Sequence, residues 1–318
     1  MRGIRNVELE ERDAVIKLLG EFIEDLNESQ KPREGFIDGT LTMWEKGDLE
    51  ILGKFIDHEL VGIAIIGLRV NRIGIIYVSK RESIHNQSQA RHIERDLFDT
   101  AFERLKKQES WVGIRVAVLL RDDLIQYAQE KGFKKYVMIG MVADRKSIEA
   151  VPMPKIPSGY TLESYNDKMN DEVANLLYES FKNSDSCNAE PDLLSTLERC
   201  LAFLDETIKG RYGEFKNGKF SFVLKRGDEI IGVTLRTLLS ETTALAAAMC
   251  LSQKYRGKGL GKLQFIYSLK NLLTNTPAVS EIHLSVYDTN PAKYLYESVG
   301  FKEASRSQIY TWLKESET

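Results

Sequence analysis

The sequence predicts an α+β fold in two tandem domains, each a mixed, mostly antiparallel sheet flanked by helices. The first observation is length, because 318 residues exceed one ordinary domain of about 150 residues. The second is the stretch "EAVPMPKIPSGY" (149–160), which holds three of the seven prolines and is typical of an extended connector. The third is a repeated order of elements on its two sides. We therefore predict one domain at 1–150 and another at 151–318.

Both halves show the same succession of helical and extended patterns. In the first half the predicted elements are a helix at 11–29, strands at 49–57, 59–70 and 72–79, a helix near 88–107, a strand at 111–119, a helix at 123–133 and a strand at 134–144. In the second they are helices at about 168–184 and 191–208, a hairpin at 219–239, a strand at 242–252, a helix, a strand at 281–288, a helix at 291–301 and a strand at 307–313. Gly132-Phe133 recurs at the corresponding place as Gly300-Phe301, which indicates duplication of one domain.

The composition is that of a soluble globular protein, with 42% hydrophobic and 29% charged residues and a net charge of −3. An acidic chain lacks the basic surface that general nucleic-acid binding needs, so we expect no nucleic-acid partner. Three cysteines without a Cys-x-x-Cys pair and four scattered histidines predict neither a disulfide framework nor a metal site. No signal-peptide core begins the sequence, and no run approaches the ~20 apolar residues of a membrane span. We expect a cytoplasmic protein without a membrane partner.

The stretch "CLSQKYRGKGLGKLQFIYSLKNLL" (250–273) carries the strongest chemical signal. An apolar strand ends there and a helix begins near 259–261, where the first backbone N–H groups have no partner within the helix. Glycines let an anion approach those groups closely, and interleaved cations add full charges. The six residues are Gly257, Gly259 and Gly261 with Arg256, Lys258 and Lys262. The pattern predicts a phosphate or pyrophosphate site, and the alternative is a plain turn with solvated lysines.

Two other phosphate-binding loops do not fit these residues. A P-loop needs four residues between its glycines and a Ser or Thr after the lysine, but Leu263 follows Lys262 here. The dinucleotide fingerprint needs Gly-x-Gly-x-x-Gly within a βαβ unit, whereas the glycines here alternate strictly and no such unit surrounds them.

Residues 256–261 match the Arg/Gln-x-x-Gly-x-Gly/Ala signature of the GNAT acetyltransferase superfamily, and "AKYLYESVGF" (292–301) resembles its Ala-x-x-x-Tyr-Glu-x-x-Gly-Phe ending. The resemblance covers roughly 159–316 and implies two tandem GNAT-like domains with acetyl-coenzyme A as cosubstrate. It implies that the loop binds the pyrophosphate and that the strand before it holds the pantetheine arm where it splays from "EIHLSVYD" (281–288). The cofactor-binding residues it indicates are Leu251, Arg256, Gly257, Lys258, Gly259, Leu260, Gly261, Lys262 and Asn290.

The resemblance also assigns catalytic roles. Tyr296 would be the general acid that protonates the departing thiolate, since a phenol near pKa 10 is protonated at neutral pH; ring packing on the core is the alternative. A backbone N–H near Leu251 or Ser252 would stabilise the oxyanion. We take Glu241 as the carboxylate to test first as the base. The family often has asparagine where Thr289 stands here, and Asn290 comes one residue later.

The first half lacks these features. Ala128 stands at the place of Tyr296, four residues before the repeated Gly-Phe pair, and no glycine lies between Ile75 and Val112. We therefore predict a degenerate GNAT-like domain that is structural or lines part of the acceptor pocket.

The leading hypothesis is an N-acetyltransferase whose C-terminal domain transfers an acetyl group from acetyl-coenzyme A to a small-molecule or peptide amine by direct attack. A non-catalytic acyl-coenzyme A sensor is the alternative, because it would share the loop without needing the acid. The segments 183–192 and 208–220 would shape the acceptor pocket, where Asp185, Glu190 and Asp192 could attract a cationic amine or be solvated loop acids. A monomer or a homodimer is equally compatible with the sequence.

Overall fold

The structure is a computed structural model that describes residues 3–24, 35–67, 73–80, 84, 86–108, 112–116, 122–216 and 219–314. The chain divides into two compact units, residues 1–136 with 309–318 and residues 137–308. Residues 309–314, at the end of the described chain, therefore belong with the N-terminal unit. No helix in the described ranges combines the length and apolar character that crossing a bilayer requires.

The first unit is a mixed sheet with helices. Its strands, in the order β1-β2-β3-β4-β5-β12, are β1 (Gly3–Asn6), β2 (Leu49–Ile56), β3 (Glu59–Gly67), β4 (Ile73–Lys80), β5 (Gly113–Val116) and the end of β12 (Lys302–Leu313). The pairs are antiparallel except β4 with β5. Its helices are α1 (Arg12–Glu24), α2 (Phe36–Glu45), α3 (Gln87–Lys106) and α4 (Asp122–Glu130). One core centres on Phe98 of α3, and a second contains Leu18 of α1.

The second unit contains a longer mixed sheet. Its strands are the first part of β12, then β6 (Lys134–Asp144), β11 (Glu281–Tyr287), β10 (Thr243–Leu251), β9 (Glu229–Leu238), β8 (Phe222–Arg226) and β7 (Tyr160–Ser164), in that order across the sheet. All the described pairings in this unit are antiparallel except that of β10 with β11. The parallel pair lies in the middle of this sheet.

Helices pack on the sheet of the second unit. They are α5 (Arg145–Ala150), α6 (Asn170–Phe181), α7 (Asp185–Ala189), α8 (Pro191–Leu194), α9 (Leu197–Ile208), α10 (Leu260–Asn275) and α11 (Ala292–Glu297). One core gathers Phe265 of α10 with residues of β6, β11 and α11. Another gathers Leu177 of α6 and Leu204 of α9 with Val233 and Leu235 of β9. Val233 and Leu235 are two positions apart on β9 and therefore lie on the same side of the sheet, in the same core.

The predicted α+β class and the mixed, mostly antiparallel sheets are confirmed. The predicted helix at 191–208 is interrupted, because helix α8 ends at Leu194 and α9 starts only at Leu197, with Thr196 accepting a hydrogen bond from the Arg199 amide as an N-cap. The sequence reading missed β1, β7, α2, α5 and α7, which are short or lack a clear periodicity. Residues 25–29 of the predicted first helix lie outside the described residues.

Arg145 holds the end of α10 in place. Its Nε donates to the Val279 carbonyl at 2.8 Å, and its Nη2 donates to the carbonyls of Thr276 at 2.7 Å and Leu273 at 3.2 Å. The last carbonyls of a helix have no partner within it, so a guanidinium there satisfies groups that would otherwise need water. α10 is also the helix whose other end begins at the glycine loop.

We expect Arg145→Ala to destabilise the C-terminal end of α10 by about 2 kcal/mol, because it removes charge-assisted hydrogen bonds to backbone carbonyls. Hydrogen exchange of residues 270–280, followed by mass spectrometry, should accelerate by at least tenfold. Arg306→Ala is the matched control, since Arg306 forms a surface ion pair with Glu303. Unchanged exchange in this segment would contradict the role of Arg145.

Candidate active site

β10 and β11 pair over a short stretch and then separate. Thr243, Ala244 and Leu245 face Glu281, Ile282 and His283 in parallel register, and no further pair is formed although β10 runs to Leu251 and β11 to Tyr287. The outer edge of each strand stays paired, β10 with β9 as far as Leu251 and β11 with β6 as far as Tyr287. The sheet therefore opens between its two central strands, as the resemblance implied.

A cavity of 870 Å³ occupies this opening. Residues 245–251 of β10 line one side and residues 284–287 of β11 line the other. The alanines at 246–248 are half-buried and have the smallest chiral side chains, so they leave the opening wide. This agrees with the separation of the two strands that the resemblance implied. The cavity also receives side chains from α7, α10 and α11.

β10 carries an irregularity beside the opening. Its register against β9 shifts between Ala246, which faces Arg236, and Ala248, which faces Leu235. A β-bulge of this kind leaves one residue, here Ala247, without a place in the ladder. The backbone of Ala247 therefore has no partner in the β9 ladder. Ser252, one of the two residues whose N–H was expected to stabilise the oxyanion, differs, because its N–H already donates to the Ile231 carbonyl at 2.8 Å.

The loop after β10 forms a tight path into α10. A 3-10 turn covers Gln253–Tyr255, and both Gly257 (φ 77°) and Gly259 (φ 76°) adopt the left-handed conformation that favours glycine. A Cβ at either position would meet no other atom of the described structure within 4 Å, so both glycines border open space. Gly261 differs, because it lies inside the helix and its Cβ would make ordinary contacts with Leu295 and Met249 at 3.5 Å. The backbone conformation requires glycine at the first two positions, and all three glycines line the cavity.

The first amides of α10 are available to a ligand. The helix begins at Leu260, its first internal bond runs from the Leu263 amide to the Gly259 carbonyl at 3.0 Å, and within the described chain no side chain caps it. The amides of residues 260–262 thus open the helix with its partial positive charge. The Leu260 side chain is buried in a small core with Leu251 and Tyr255, so only its backbone can serve the site.

The three cations of the loop have different surroundings. Arg256 lines the cavity, and its Nε donates to the Leu251 carbonyl at 3.0 Å, which ties the loop to the end of β10. Lys262 also lines the cavity, whereas Lys258 does not and its Nζ lies 5.4 Å from the centre of the Tyr255 ring.

Tyr255 anchors the 3-10 turn at 253–255 to strand β9. It is buried, and its hydroxyl donates to Glu229 of β9 at 2.8 Å. Lys254 forms an ion pair with the same carboxylate at 2.6 Å, and these two contacts lower the pKa of Glu229.

Tyr296 reaches the cavity from α11. It is 9% exposed, and its ring lies 4.9 Å from that of Phe265, centre to centre. Burial raises the pKa of the Tyr296 phenol to about 12, and the charge of Arg236 opposes part of this rise. The phenol is therefore protonated at neutral pH, as an acid must be. Tyr294, on the other face of the helix, is 71% exposed and lies outside the cavity.

Asn290 and Glu241 lie in different places. Asn290 lines the cavity, and its Oδ1 accepts a hydrogen bond from the Ala292 amide at 2.9 Å, at the start of α11. Glu241 is exposed in the turn before β10, at the strand end opposite the glycine loop, and it does not line the cavity. Both of their roles remain predictions, and the structure brings only Asn290 to the site.

Asp185 and Glu190, which the sequence analysis described as either amine-binding or solvated acids, line the cavity. Glu190 accepts a hydrogen bond from the Tyr287 hydroxyl at 2.9 Å, and Asp185 accepts one from Thr289. Asp192 is 8% exposed, so it is not a solvated loop acid. The two contacts fasten the 185–190 segment against the end of β11.

Arg236 is the residue near the site that sequence reasoning missed. A charge in the apolar run "IIGVTLRTLL" (230–239) was the available signal. In the structure Arg236 is 1% exposed.

The described residues contain no group of three or more His, Cys, Asp or Glu side chains arranged to hold a metal ion. The three cysteines are buried as free thiols, and burial raises the pKa of Cys250 to about 12.

In the first unit, Ala128 is fully buried in the core that contains Phe98 and Phe133. It offers no proton donor at the place where the second unit has Tyr296. Part of the segment that corresponds to the glycine loop, residues 81–83 and 85, lies outside the described residues. The degenerate state of this unit stays a prediction.

Part of this chain is similar in sequence to known acetyltransferases. Residues 195–315 match the acetyltransferase (GNAT) domain family. The ribosomal protein bS18-alanine N-acetyltransferase of Haemophilus influenzae is 33% identical over 109 residues, which are 33% of this chain and 67% of that protein.

Two solved structures share the fold over nearly the whole chain. A GCN5-related N-acetyltransferase from Sphaerobacter thermophilus has a TM-score of 0.56 at 15% identity and covers 98% of this chain and 95% of its own. A tandem GNAT protein from the clavulanic acid biosynthesis pathway has a TM-score of 0.53 at 16% identity and covers 100% of both chains. The prediction of two tandem GNAT-like domains is confirmed. Taken with the signature loop and the Tyr296 ending, these matches establish that the chain belongs to the GNAT superfamily of N-acetyltransferases.

Proposed function

We propose that the second unit transfers an acetyl group from acetyl-coenzyme A to an amine by direct attack. One observation carries the proposal: a single cavity joins an unpaired strand edge, the open start of a helix and a buried phenol. Each of the three suits a different part of the coenzyme. The first unit, without a tyrosine at the matching place, would be structural or would shape the acceptor pocket.

The residues present fit the coenzyme. The amides of residues 260–262, together with Arg256 and Lys262, suit a diphosphate, because N–H groups at a helix start and nearby cations stabilise anions. The inner edge of β10 beyond Leu245 offers backbone groups to an extended amide-containing chain. Leu251 lines this edge, and the backbone at the Ala247 bulge lies beside it for an oxyanion. Acetyl-coenzyme A, when bound, supplies a thioester carbonyl and a thiolate leaving group.

Tyr296 supplies the proton that the reaction needs. The amine nitrogen bonds to the carbonyl carbon, the carbon–sulfur bond breaks, and Tyr296 donates its proton to the sulfur. The proton that the amine loses passes to a carboxylate or to water, and solvent returns a proton to Tyr296. Acid catalysis avoids release of a free thiolate into a buried site, where an unpaired charge is costly.

Glu190 is better placed than Glu241 to handle the amine. Its carboxylate lines the cavity and is held by Tyr287, whereas Glu241 lies exposed in the turn before β10. A carboxylate in the cavity can bind a cationic amine and accept its proton, directly or through water. We therefore propose Glu190 for the role that the sequence suggested for Glu241.

The acceptor class follows from the charges on this side of the cavity. Asp185 and Glu190 favour an amine that is cationic in solution, either a small amine or a peptide N-terminus. The Haemophilus influenzae relative acts on alanine of a ribosomal protein, which makes peptides that begin with alanine a suitable acceptor to test. A coenzyme A release assay with small amines, aminoglycosides and such peptides tests the proposed function. Coenzyme binding with no turnover on any acceptor would favour the non-catalytic sensor instead.

We expect Tyr296→Phe to lower kcat about 10²-fold, because the substitution removes the acid and keeps the ring. Coenzyme A affinity, measured by isothermal titration calorimetry, should stay unchanged. Tyr294→Phe is the matched control on the exposed face of the same helix and should retain wild-type kcat. A Tyr296→Phe enzyme with wild-type kcat would remove Tyr296 from the mechanism.

We expect Lys262→Ala to weaken coenzyme A binding about tenfold, which corresponds to about 1.4 kcal/mol. Lys258→Ala should change the affinity by less than about twofold, because Lys258 does not line the cavity and only charges close to the phosphates act strongly through solvent. Calorimetric titration of both variants with coenzyme A measures the difference. Equal losses would mean that the diphosphate lies outside the cavity.

We expect Glu190→Gln to lower kcat/KM for the amine about tenfold while coenzyme A affinity stays unchanged, since Gln can still accept the Tyr287 hydrogen bond but cannot take a proton. Glu241→Gln is the matched comparison and should keep kcat/KM within about twofold. Steady-state kinetics with the best acceptor of the panel decide between the two. The reverse outcome would support Glu241 as the base.

A further inference from the structure

Arg236 of β9 is a buried charge that forms no ion pair with a carboxylate of the described residues. Its side chain is 1% exposed. Nη2 donates to the Ser268 hydroxyl of α10 at 2.8 Å, while Nε and Nη1 are buried and find no hydrogen-bond partner among the described residues. Ser268 in turn donates to the Phe265 carbonyl, so the contact is fixed from both sides.

This arrangement is unfavourable for stability. A buried charge without full hydrogen bonding loses its hydration and regains little of it, and an apolar side chain of the same size is usually as stable or more so. Burial lowers the pKa of Arg236 to about 10, so the group is still cationic near neutral pH. Packing alone therefore does not explain an arginine here.

Arg236 and the phenol of Tyr296 both pack around the ring of Phe265. The Cζ of Arg236 is 4.7 Å from the centre of the Phe265 ring, and the Tyr296 ring is 4.9 Å from the same centre. Within the described chain, the titratable groups that interact electrostatically with Tyr296 are Arg236 on β9 and Cys250 on β10. Cys250 is a neutral thiol at physiological pH. The positive charge of Arg236 thus opposes the effect of burial on the pKa of this phenol.

We propose that Arg236 is a positioning residue whose buried positive charge stabilises the phenolate that Tyr296 becomes when it donates its proton. The inference rests on the proposed role of Tyr296 as the acid. It gives a reason for a charge in the core, because the guanidinium is held rigidly by Ser268 and Phe265 and needs no rearrangement when negative charge develops.

The acidity of Tyr296 makes this contribution significant. A phenol with a pKa of about 12 is a weak donor to a thiolate whose thiol has a pKa near 8.5. Arg236 opposes the effect of burial, so its removal should raise the pKa of Tyr296 further and slow proton transfer. A change of one unit is tenfold in acidity, of which a part appears in the rate, so we expect a loss of roughly three- to tenfold in kcat.

The test compares Arg236→Met, Arg236→Lys and Ser268→Ala, each alone and with Tyr296→Phe. Arg236→Met should lower kcat roughly three- to tenfold and leave coenzyme A affinity unchanged, and its melting temperature should equal or exceed that of the wild type. Arg236→Lys should restore most of the rate, because it keeps the charge. Ser268→Ala keeps the charge and should cost less rate than Arg236→Met. In the Tyr296→Phe background, Arg236→Met should have no further effect on kcat.

Two outcomes of these rate and stability measurements would overturn the proposal. An equal loss of kcat from Arg236→Met with and without Tyr296 would mean that Arg236 does not act through the phenol. A lowered melting temperature with weakened coenzyme binding would mean that Arg236 serves the fold.

A titration that needs no turnover separates this proposal from the proposed function. With ¹³Cζ-labelled tyrosine, the Tyr296 resonance is assigned by its loss in Tyr296→Phe, and its shift is followed by NMR from about pH 8 to 11. The wild type should begin to titrate near the upper end of this range, and Arg236→Met should not. If Tyr296→Phe has wild-type activity, the acid assignment fails by itself. If the titration is the same with and without Arg236, the positioning role fails whatever the activity.

Discussion

The separation of β10 from β11 after Leu245 is the constraint on which the site depends. Both strands keep their outer partners, so neither can move back to close the gap without breaking a ladder. Backbone N–H and C=O groups along the gap have no strand partner, and such groups need water or a ligand. The same separation directs the ends of both strands, the glycine loop after β10 and the start of α11 after β11, towards one cavity. A sheet paired along its full length would have no cavity there.

The cavity carries charges of both signs, and this suits two substrates with opposite charges. The open start of α10, Arg256 and Lys262 give a site for an anion, and Asp185 and Glu190 give one for a cation. Carboxylates that attract an ammonium group also favour its charged form, which cannot attack a carbonyl. A carboxylate can satisfy both demands if it accepts the proton once the amine is bound, and Glu190 has a fixed orientation because Tyr287 holds it.

Local signals in the sequence predicted local structure. Gly257 and Gly259 indicated a tight turn because a left-handed backbone selects glycine, and the motif around Tyr296 placed that residue on a short helix. Their roles in the site stay predictions. Gly261 was grouped with the other two glycines, although its backbone is helical and a Cβ there would only contact Leu295 and Met249 beside the cavity. Glu190 could not be separated from its acidic neighbours, because only the fold brings 185–190 against β11. Glu241 was suggested by its closeness along the chain, whereas a strand of nine residues carries it to the far end of the sheet.

Arg236 shows why a buried residue can escape sequence reasoning altogether. It occupies a strand position whose contacts, Phe265 and Ser268, come from α10, and Tyr296 of α11 packs on the same Phe265 ring, so no pattern within β9 indicates its role. A buried charge that lacks a carboxylate lowers stability, and cores usually replace such groups with apolar ones. Sites that perform chemistry commonly depart from the arrangement that is best for stability, because groups prepared for the transition state are poorly satisfied before it forms. On this view the incomplete hydrogen bonding of Arg236 is the consequence of holding a positive charge ready for the phenolate of Tyr296.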